Sequence, residues 1–248
     1  MLPAPFREVG HRPWAIPRRP WIMRHTWEDL LFLHWPVAHD AIRRLIPHQV
    51  DIDTFGGQAW IALVPFRISC LRLRGLPRIP PSSFVELNVR TYVTRDGKPG
   101  VWFLSLDASS RLAVCLARAW YRLPYFPARM SMTVGGDAIR FTAQRRTLDR
   151  PPPQFVCTYR ANGALPIAED SKLVRWLTGR YCLYTTDRRG RLYRAEIHHV
   201  PWPLQSAEVA LETNNMLVPL GLPEVEGQPL AHFSKRLDAL VWSPERLN

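Results

Sequence analysis

Lysine is nearly absent from this sequence. Of 33 basic residues only Lys98, Lys172 and Lys235 are lysines, against 30 arginines. A bias of that size is as readily a coding preference as a functional one. Cysteine is scarce as well: Cys70, Cys115, Cys157 and Cys182 stand far apart, and no C-x-x-C pair occurs. That spacing argues against a zinc ribbon or a disulfide frame, and the apolar neighbours of each thiol predict buried, reduced cysteines. The signatures of common enzymes are missing: no G-x-S-x-G elbow, Walker loop, Rossmann glycine fingerprint or H-E-x-x-H. Long apolar runs are missing too. Ala59–Phe66 and Val101–Leu106 stop well short of the roughly 20 residues that span a bilayer. The opening MLPAPFREVGHRPW carries Arg and Pro where a signal peptide needs an apolar core. A soluble, cytoplasmic protein with no membrane partner is expected.

What is present is basic charge. The formal net charge is +12 over 248 residues. The arginines are spread along the whole chain, and their densest clusters (Arg72/Arg74, Arg145/Arg146, Arg188/Arg189/Arg191) are short. No nucleic-acid motif accompanies them, so no nucleic-acid partner is expected.

The periodicity predicts one α+β domain over residues 25–248, preceded by a Pro/Arg-rich arm over residues 1–24 with Trp14 and Trp21 as anchors. Helices are predicted for Thr26–Phe32, Ala38–Ile46, Ser109–Trp120 (capped by Ser109 or Ser110), from Asp170 or Ser171 through Thr178, and Ala207–Met216. Strands are predicted for Ala59–Leu71, Phe84–Arg95, Val101–Leu106, Ala128–Val134, Ala138–Arg146, Gln154–Arg160, Tyr181–Thr186, Leu192–His198 and Arg236–Trp242. Pro65 within the first of these suggests an edge or a bulge. Strands and hairpins dominate, which predicts a mainly antiparallel sheet curled into a barrel.

Few residues offer chemistry. His198 and His199 are adjacent, so on a strand they point to opposite faces, one packed and one solvated. Together with His34 and His39 they do not make a diagnostic metal spacing, and no metal or other cofactor is expected. The best local lead is Phe84–Arg95. Its alternation places Val85, Leu87, Val89, Thr91 and Val93 on one face and Glu86, Asn88 and Arg90 on the other. On a half-exposed strand that polar face meets water. Lining a barrel interior, it sets a carboxylate, an amide and a guanidinium in one pocket, suited to a small oxygen-bearing ligand.

Several motifs stand in fixed order: His34-Trp-Pro-Val37, Asp53-Thr-Phe-Gly-Gly-Gln-Ala-Trp60, Val64-Pro-Phe66, Gly75-Leu-Pro77, Glu86-Leu-Asn-Val-Arg-Thr-Tyr92, Gly100-Val-Trp-Phe-Leu-Ser-Leu-Asp107, Ala117-Arg118 through Leu123-Pro-Tyr125, and Pro201-Trp-Pro-Leu204. From about Arg19 onward the chain resembles the YqjF-like family of uncharacterised bacterial proteins, placed in the acetoacetate decarboxylase-like superfamily. The resemblance implies a cone-shaped β-barrel with a few flanking helices and an internal ligand cavity. Acetoacetate decarboxylases carry a glycine-arginine segment followed by Gly-Phe-Pro-Lys-Lys, one lysine forming a Schiff base. Here Arg118 matches the arginine and Pro124 the proline, but Tyr125 and Phe126 replace the lysines. Phe84-Val-Glu86 is similar to the superfamily's strand carrying a cavity glutamate.

A Schiff base needs a neutral amine, and none stands at that position. Lys98, Lys172 and Lys235 read as solvated surface residues. The expectation is a barrel binding an oxygenated metabolite of organic-acid type, with Asn88, Arg90 and Arg118 as ligand-binding residues and Glu86 and Tyr125 at the reactive end. The alternative is a lysine-independent lyase or isomerase, with Glu86 as general acid/base and Tyr125 as proton donor. Self-association into a homo-oligomer is compatible with the sequence. The expected geometry is a buried Glu86 within reach of Tyr125 or Arg118.

Overall fold

The structure, a computed structural model, describes residues 2–76, 83–163 and 172–247. The proposed caps Asp170 and Ser171, and Pro77 of the Gly75 motif, lie outside these. Strands follow one another along most of the chain: β1 (Met23–Val37), β2 (Asp51–Ile52), β3 (Ala59–Leu73), β4 (Phe84–Arg95), β5 (Lys98–Ala108), β6 (Tyr125–Gly135), β7 (Ala138–Arg145), β8 (Gln154–Asn162), β9 (Cys182–Thr186), β10 (Leu192–His198), β11 (Gln205–Asn214), β12 (Leu230–Val241) and β13 (Glu245–Arg246). Among the described residues three α-helices accompany them: α1 (His39–Arg43), α2 (Arg111–Tyr121) and α3 (Lys172–Thr178).

The strands form one 13-stranded sheet in the order β13-β10-β9-β5-β6-β7-β8-β11-β12-β1-β3-β4-β2, with further pairings β4–β5 and β10–β12. All neighbours are antiparallel except β5–β6 and β5–β9, which are parallel. The expected mainly antiparallel, strand-rich sheet with few helices therefore holds.

Two expected helices are strands. Thr26–Phe32 lies within β1, bonded on one side to β12 and on the other to β3. Ala207–Met216 falls largely in β11, paired with β8. Both segments contain good helix formers, but intrinsic propensity is a weak preference that two-sided ladder pairing overrides. On β11 the glutamates reach across the sheet, Glu208 to Arg160 and Glu212 to Arg140. The irregularity in β1 lies at Asp29, whose φ is 52°. The β1–β3 ladder loses register there, between Glu28 and Leu33, opposite Pro65. Proline, which has no N–H to give, thus sits in an interior strand where the ladder is already broken by a bulge.

The period-2 pattern of β4 separates two cores. Leu87, Val89 and Val93 join Leu31, Leu33, Phe141 and Phe155 on one side. On the other, Phe84 and Tyr92 pack with Phe32, Phe66 and residues of α2. That second side holds the cavity described below. The segment before β1 is pinned by burial of Phe6 against Leu240 and Trp242. It is also held at Glu196, whose Oε2 accepts from Arg12 Nη2 at 3.0 Å and Trp14 Nε1 at 2.8 Å.

The cysteines are not disulfide-bonded, yet only Cys157 and Cys182 are buried; Cys70 is half-buried and Cys115 is exposed on α2. Apolar neighbours in sequence do not bury a side chain that the helix turns outward. Burial pushes the Cys157 and Cys182 thiols up to about 12. In the native protein Cys115 is therefore expected to react rapidly with a thiol reagent at pH 8, while Cys157 and Cys182 stay unmodified until the chain is denatured. Peptide mapping after brief labelling checks this, and early modification of Cys157 or Cys182 would contradict the packing.

Candidate functional site

A cavity of about 250 Å³ opens between β4, the facing side of β1 and β3, and helix α2. Glu86, Asn88 and Arg90 all face it, as their shared strand face requires. Glu86 is 3% exposed, and Tyr125 Oη donates to its Oε2 at 2.9 Å. Topology brings the two together. Glu86 pairs with Ala108 at the end of β5, and Tyr125 begins β6, which runs parallel to β5 beside Leu106.

Burial raises the Glu86 carboxyl to about 8; the Tyr125 hydrogen bond opposes this and the charge of Asp107 adds to it. The Tyr125 phenol is held well above its usual range by burial and by Glu86. At neutral pH both groups therefore carry their protons, and Glu86 is predominantly a carboxylic acid. A neutral acid in an apolar pocket donates a hydrogen bond, and near pH 8 it exchanges a proton readily.

Along the same wall, Asn88 is 4% exposed and its Oδ1 has no hydrogen-bond partner among the described residues. Arg90 is half-buried, its guanidinium carbon 5.3 Å from the Phe32 ring centroid, and its Nε is likewise without a partner there. A second guanidinium, Arg180, closes this end. It is buried, packed over Tyr92 at 4.8 Å and Trp176 at 4.2 Å. It pairs with Asp53 through Nη1 and donates Nε–H to the Trp176 carbonyl at 2.7 Å, while Nη2 has no partner among the described residues. The turn before it needs Gly179, since a Cβ there would lie 2.8 Å from the Arg175 carbonyl oxygen. Buried donors and acceptors normally find partners, so this wall carries polar groups left unsatisfied among the described residues.

Much of the remaining lining is apolar or aromatic. Trp27 and Trp202 stack 5.5 Å apart with 10° between their planes. His25 and His199 also line the cavity, and burial lowers them to about 4 and about 3, so both are neutral imidazoles at pH 7.

Some expectations fail here. Arg118 is exposed and does not line the cavity. Its Nε donates to the Tyr125 carbonyl at 2.6 Å. The helical turn that sends Ala113, Leu116 and Ala117 toward the cavity swings Arg118 aside, so it positions the Tyr125 backbone instead of meeting a ligand. His198, at the end of β10, and His199, just beyond it, are both buried, with His198 facing the Phe6 carbonyl and His199 the cavity. No lysine lines the cavity. Lys172 and Lys235 are exposed, the latter paired with Asp29, whereas Lys98 is half-buried with its Nζ 5.8 Å from the Trp14 ring centroid. Among the described residues no group of three or more His, Cys, Asp or Glu could hold a metal ion. Sequence reasoning missed Arg180, Trp27 and Trp202 as lining residues, and it singled out His198 and His199 without deciding which of them meets the cavity. One arginine among 30 carries no signal, and only the folded chain shows that it is buried.

The family model DUF2071, described as an uncharacterized conserved protein, matches residues 24–238. The chain belongs to the DUF2071 family. YqjF of Bacillus subtilis (strain 168), an uncharacterized protein, is 46% identical to this DUF2071 chain over 229 residues, covering 92% of this chain and 93% of the relative. Among solved structures, an acetoacetate decarboxylase-like enzyme from Sphingomonas wittichii RW1 superposes with a TM-score of 0.64 at 12% identity, over 97% of this chain and 99% of the other. The acetoacetate decarboxylase of Legionella pneumophila gives 0.61 at 11% identity, over 95% and 93%. The enduracididine biosynthesis enzyme MppR, complexed with the condensation product of pyruvate and imidazole 4-carboxaldehyde, gives 0.64 at 12% identity, over 92% and 90%. The DUF2071 chain thus has an acetoacetate decarboxylase-like fold.

Proposed function

We propose that this protein binds an organic acid non-covalently in the cavity beside β4. Arg90 and Arg180 hold the carboxylate, Asn88 contributes its amide, and the Glu86–Tyr125 pair donates to a carbonyl or hydroxyl oxygen. In this reading the sheet closes through its β4–β5 and β10–β12 pairings into a cone-shaped barrel around the ligand, with residues 25–248 as one domain and residues 1–24 as an arm laid against it. The observation that carries the reading is the set of buried polar groups with open valences on one wall of an otherwise apolar cavity. With Arg180 paired to Asp53, the end keeps one net positive charge from Arg90, which favours an anion, and the protonated Glu86 favours a neutral oxygen over a second carboxylate. That MppR is described with a pyruvate-derived ligand agrees with an acid of the oxo type.

A second reading has its own support in the raised Glu86. Once deprotonated, the carboxylate can remove a proton next to a ligand carbonyl while Tyr125 donates to the developing enolate oxygen, and neither step needs an amine. Either way no imine forms. Incubation with acetoacetate and borohydride is expected to leave the intact mass unchanged; a reduced adduct on any of the three lysines would overturn the non-covalent reading. Octanoate binding, followed through fluorescence of the cavity tryptophans, is expected to weaken tenfold or more in Arg90→Gln, since a hydrogen bond to a charged group contributes about 1.5–3 kcal/mol. Equal binding by the two proteins would remove the anion site.

A further inference from the structure

The two polar ends of the cavity are separate. Glu86 and Arg90 are four residues apart on one strand, a distance of about 13 Å between their backbones at 3.3 Å per residue. Arg90 stands opposite Phe103, and beside it Arg180 is sealed by Tyr92, Trp176 and Asp53. Glu86 stands opposite Ala108, where the chain leaves β5 and turns through Ser110, whose side chain caps α2 by accepting from the Ala113 amide. Arg180 and the groups packed on it thus bound the basic end, and α2 borders the other.

At the α2 end an unusual surface appears. Leu112, Leu116 and Trp120 recur at helical spacing on α2, border the cavity, and are 48%, 54% and 42% exposed. An amphipathic helix normally turns such a stripe into a core. Here the stripe faces the cavity itself, so whatever fills the cavity covers it. A dry space of about 150 Å³ holds a benzene ring, and this one, at about 250 Å³, is larger. A three-carbon acid at Arg90 would leave most of that space empty and would not reach α2.

We propose that the ligand is an elongated acid with an apolar body. Its carboxylate lies at the Arg90–Arg180 end, its chain follows β4 past Asn88 and Glu86, and its tail lies against Leu112, Leu116 and Trp120 of α2. This rests on the acid-binding reading above and adds the length and polarity of the molecule. It also assigns α2 as the determinant of chain length, with Leu116 and Trp120 as its contacts.

The test is calorimetric titration of the full chain with butanoate, hexanoate, octanoate and octan-1-ol. Burial of each methylene is expected to tighten binding about fourfold, on the order of a hundredfold between butanoate and octanoate. Octan-1-ol, lacking the charge, is expected to bind at least tenfold more weakly than octanoate. Leu116→Gln, at an exposed position that the fold does not need, is expected to weaken octanoate severalfold and leave butanoate unchanged. Equal affinity for all three acids overturns the apolar-body inference and leaves the acid site standing. Octan-1-ol binding as tightly as octanoate removes the acid site and keeps the apolar channel. If none of the four binds, both fall. If Leu116→Gln alters the sedimentation of the protein but not its preference for long chains, the α2 stripe belongs to a second copy of the chain, and the assignment of α2 fails.

Discussion

Glu86→Gln is expected to make the protein more stable than the wild type at alkaline pH and nearly equal to it at pH 5. In the folded chain burial raises the Glu86 carboxyl from an ordinary 4.5 to about 8. A carboxyl raised on folding binds its proton more tightly in the native state. Its contribution is therefore fully present below pH 4.5, is lost progressively as the pH rises toward 8, and is constant above that. At 1.36 kcal/mol per pH unit, the loss is about 3–5 kcal/mol between pH 5 and 9. Glutamine keeps the shape and can accept from Tyr125, but it has no proton to lose. The buried imidazoles of His25 and His199 titrate in the opposite sense, since burial lowers them, and they are common to both proteins. The difference between the two urea denaturation curves, taken at pH 5, 7 and 9, therefore isolates Glu86. A difference that stays constant with pH would mean that Glu86 is not a buried, protonated acid.

Arg145→Met is expected to lower stability by about 3–5 kcal/mol, which for a chain of this size is a fall of roughly 6–20 °C in Tm. Arg145 and Asp107 form a buried two-point ion pair, Nε to Oδ1 at 2.8 Å and Nη2 to Oδ2 at 2.7 Å. The guanidinium also lies 4.0 Å from the Phe126 ring centroid. Burial raises the Asp107 carboxyl and Arg145 counteracts it. Removing the cation leaves that carboxylate fully buried without its partner, and the loss is the penalty of the stranded charge more than the value of the bond. The combined Asp107→Leu/Arg145→Met variant is accordingly expected to recover most of the lost Tm. If the single and double variants melt together, the pair is not what holds β5 against β7.

The legible parts of this molecule were those with a local cause. The run Phe84–Arg95 was assigned as a strand with the observed bounds, because alternating side chains on a half-apolar strand leave a period-2 trace in the sequence itself. Helix α2 was legible through its spacing and its cap, with Ser110 accepting from the Ala113 amide at 3.2 Å. The segments Thr26–Phe32 and Ala207–Met216 were misread because leucine, alanine and glutamate favour a helix in isolation. Their actual partners, β3, β8 and β12, are far away in the chain.

The site divides in the same way. Sequence alone determined that Glu86, Asn88 and Arg90 share a wall, since a strand's geometry is fixed by its own backbone. It also determined that no lysine stands where Tyr125 and Phe126 do. Only the tertiary structure decided that this wall faces a cavity and not water, that Arg180 and His199 join it, and that Arg118 does not. Those outcomes depend on what packs across from β4. The burial of Glu86, and with it the proton it keeps at neutral pH, comes from β1, β3, β6 and α2 closing over a face whose own residues carry no record of them.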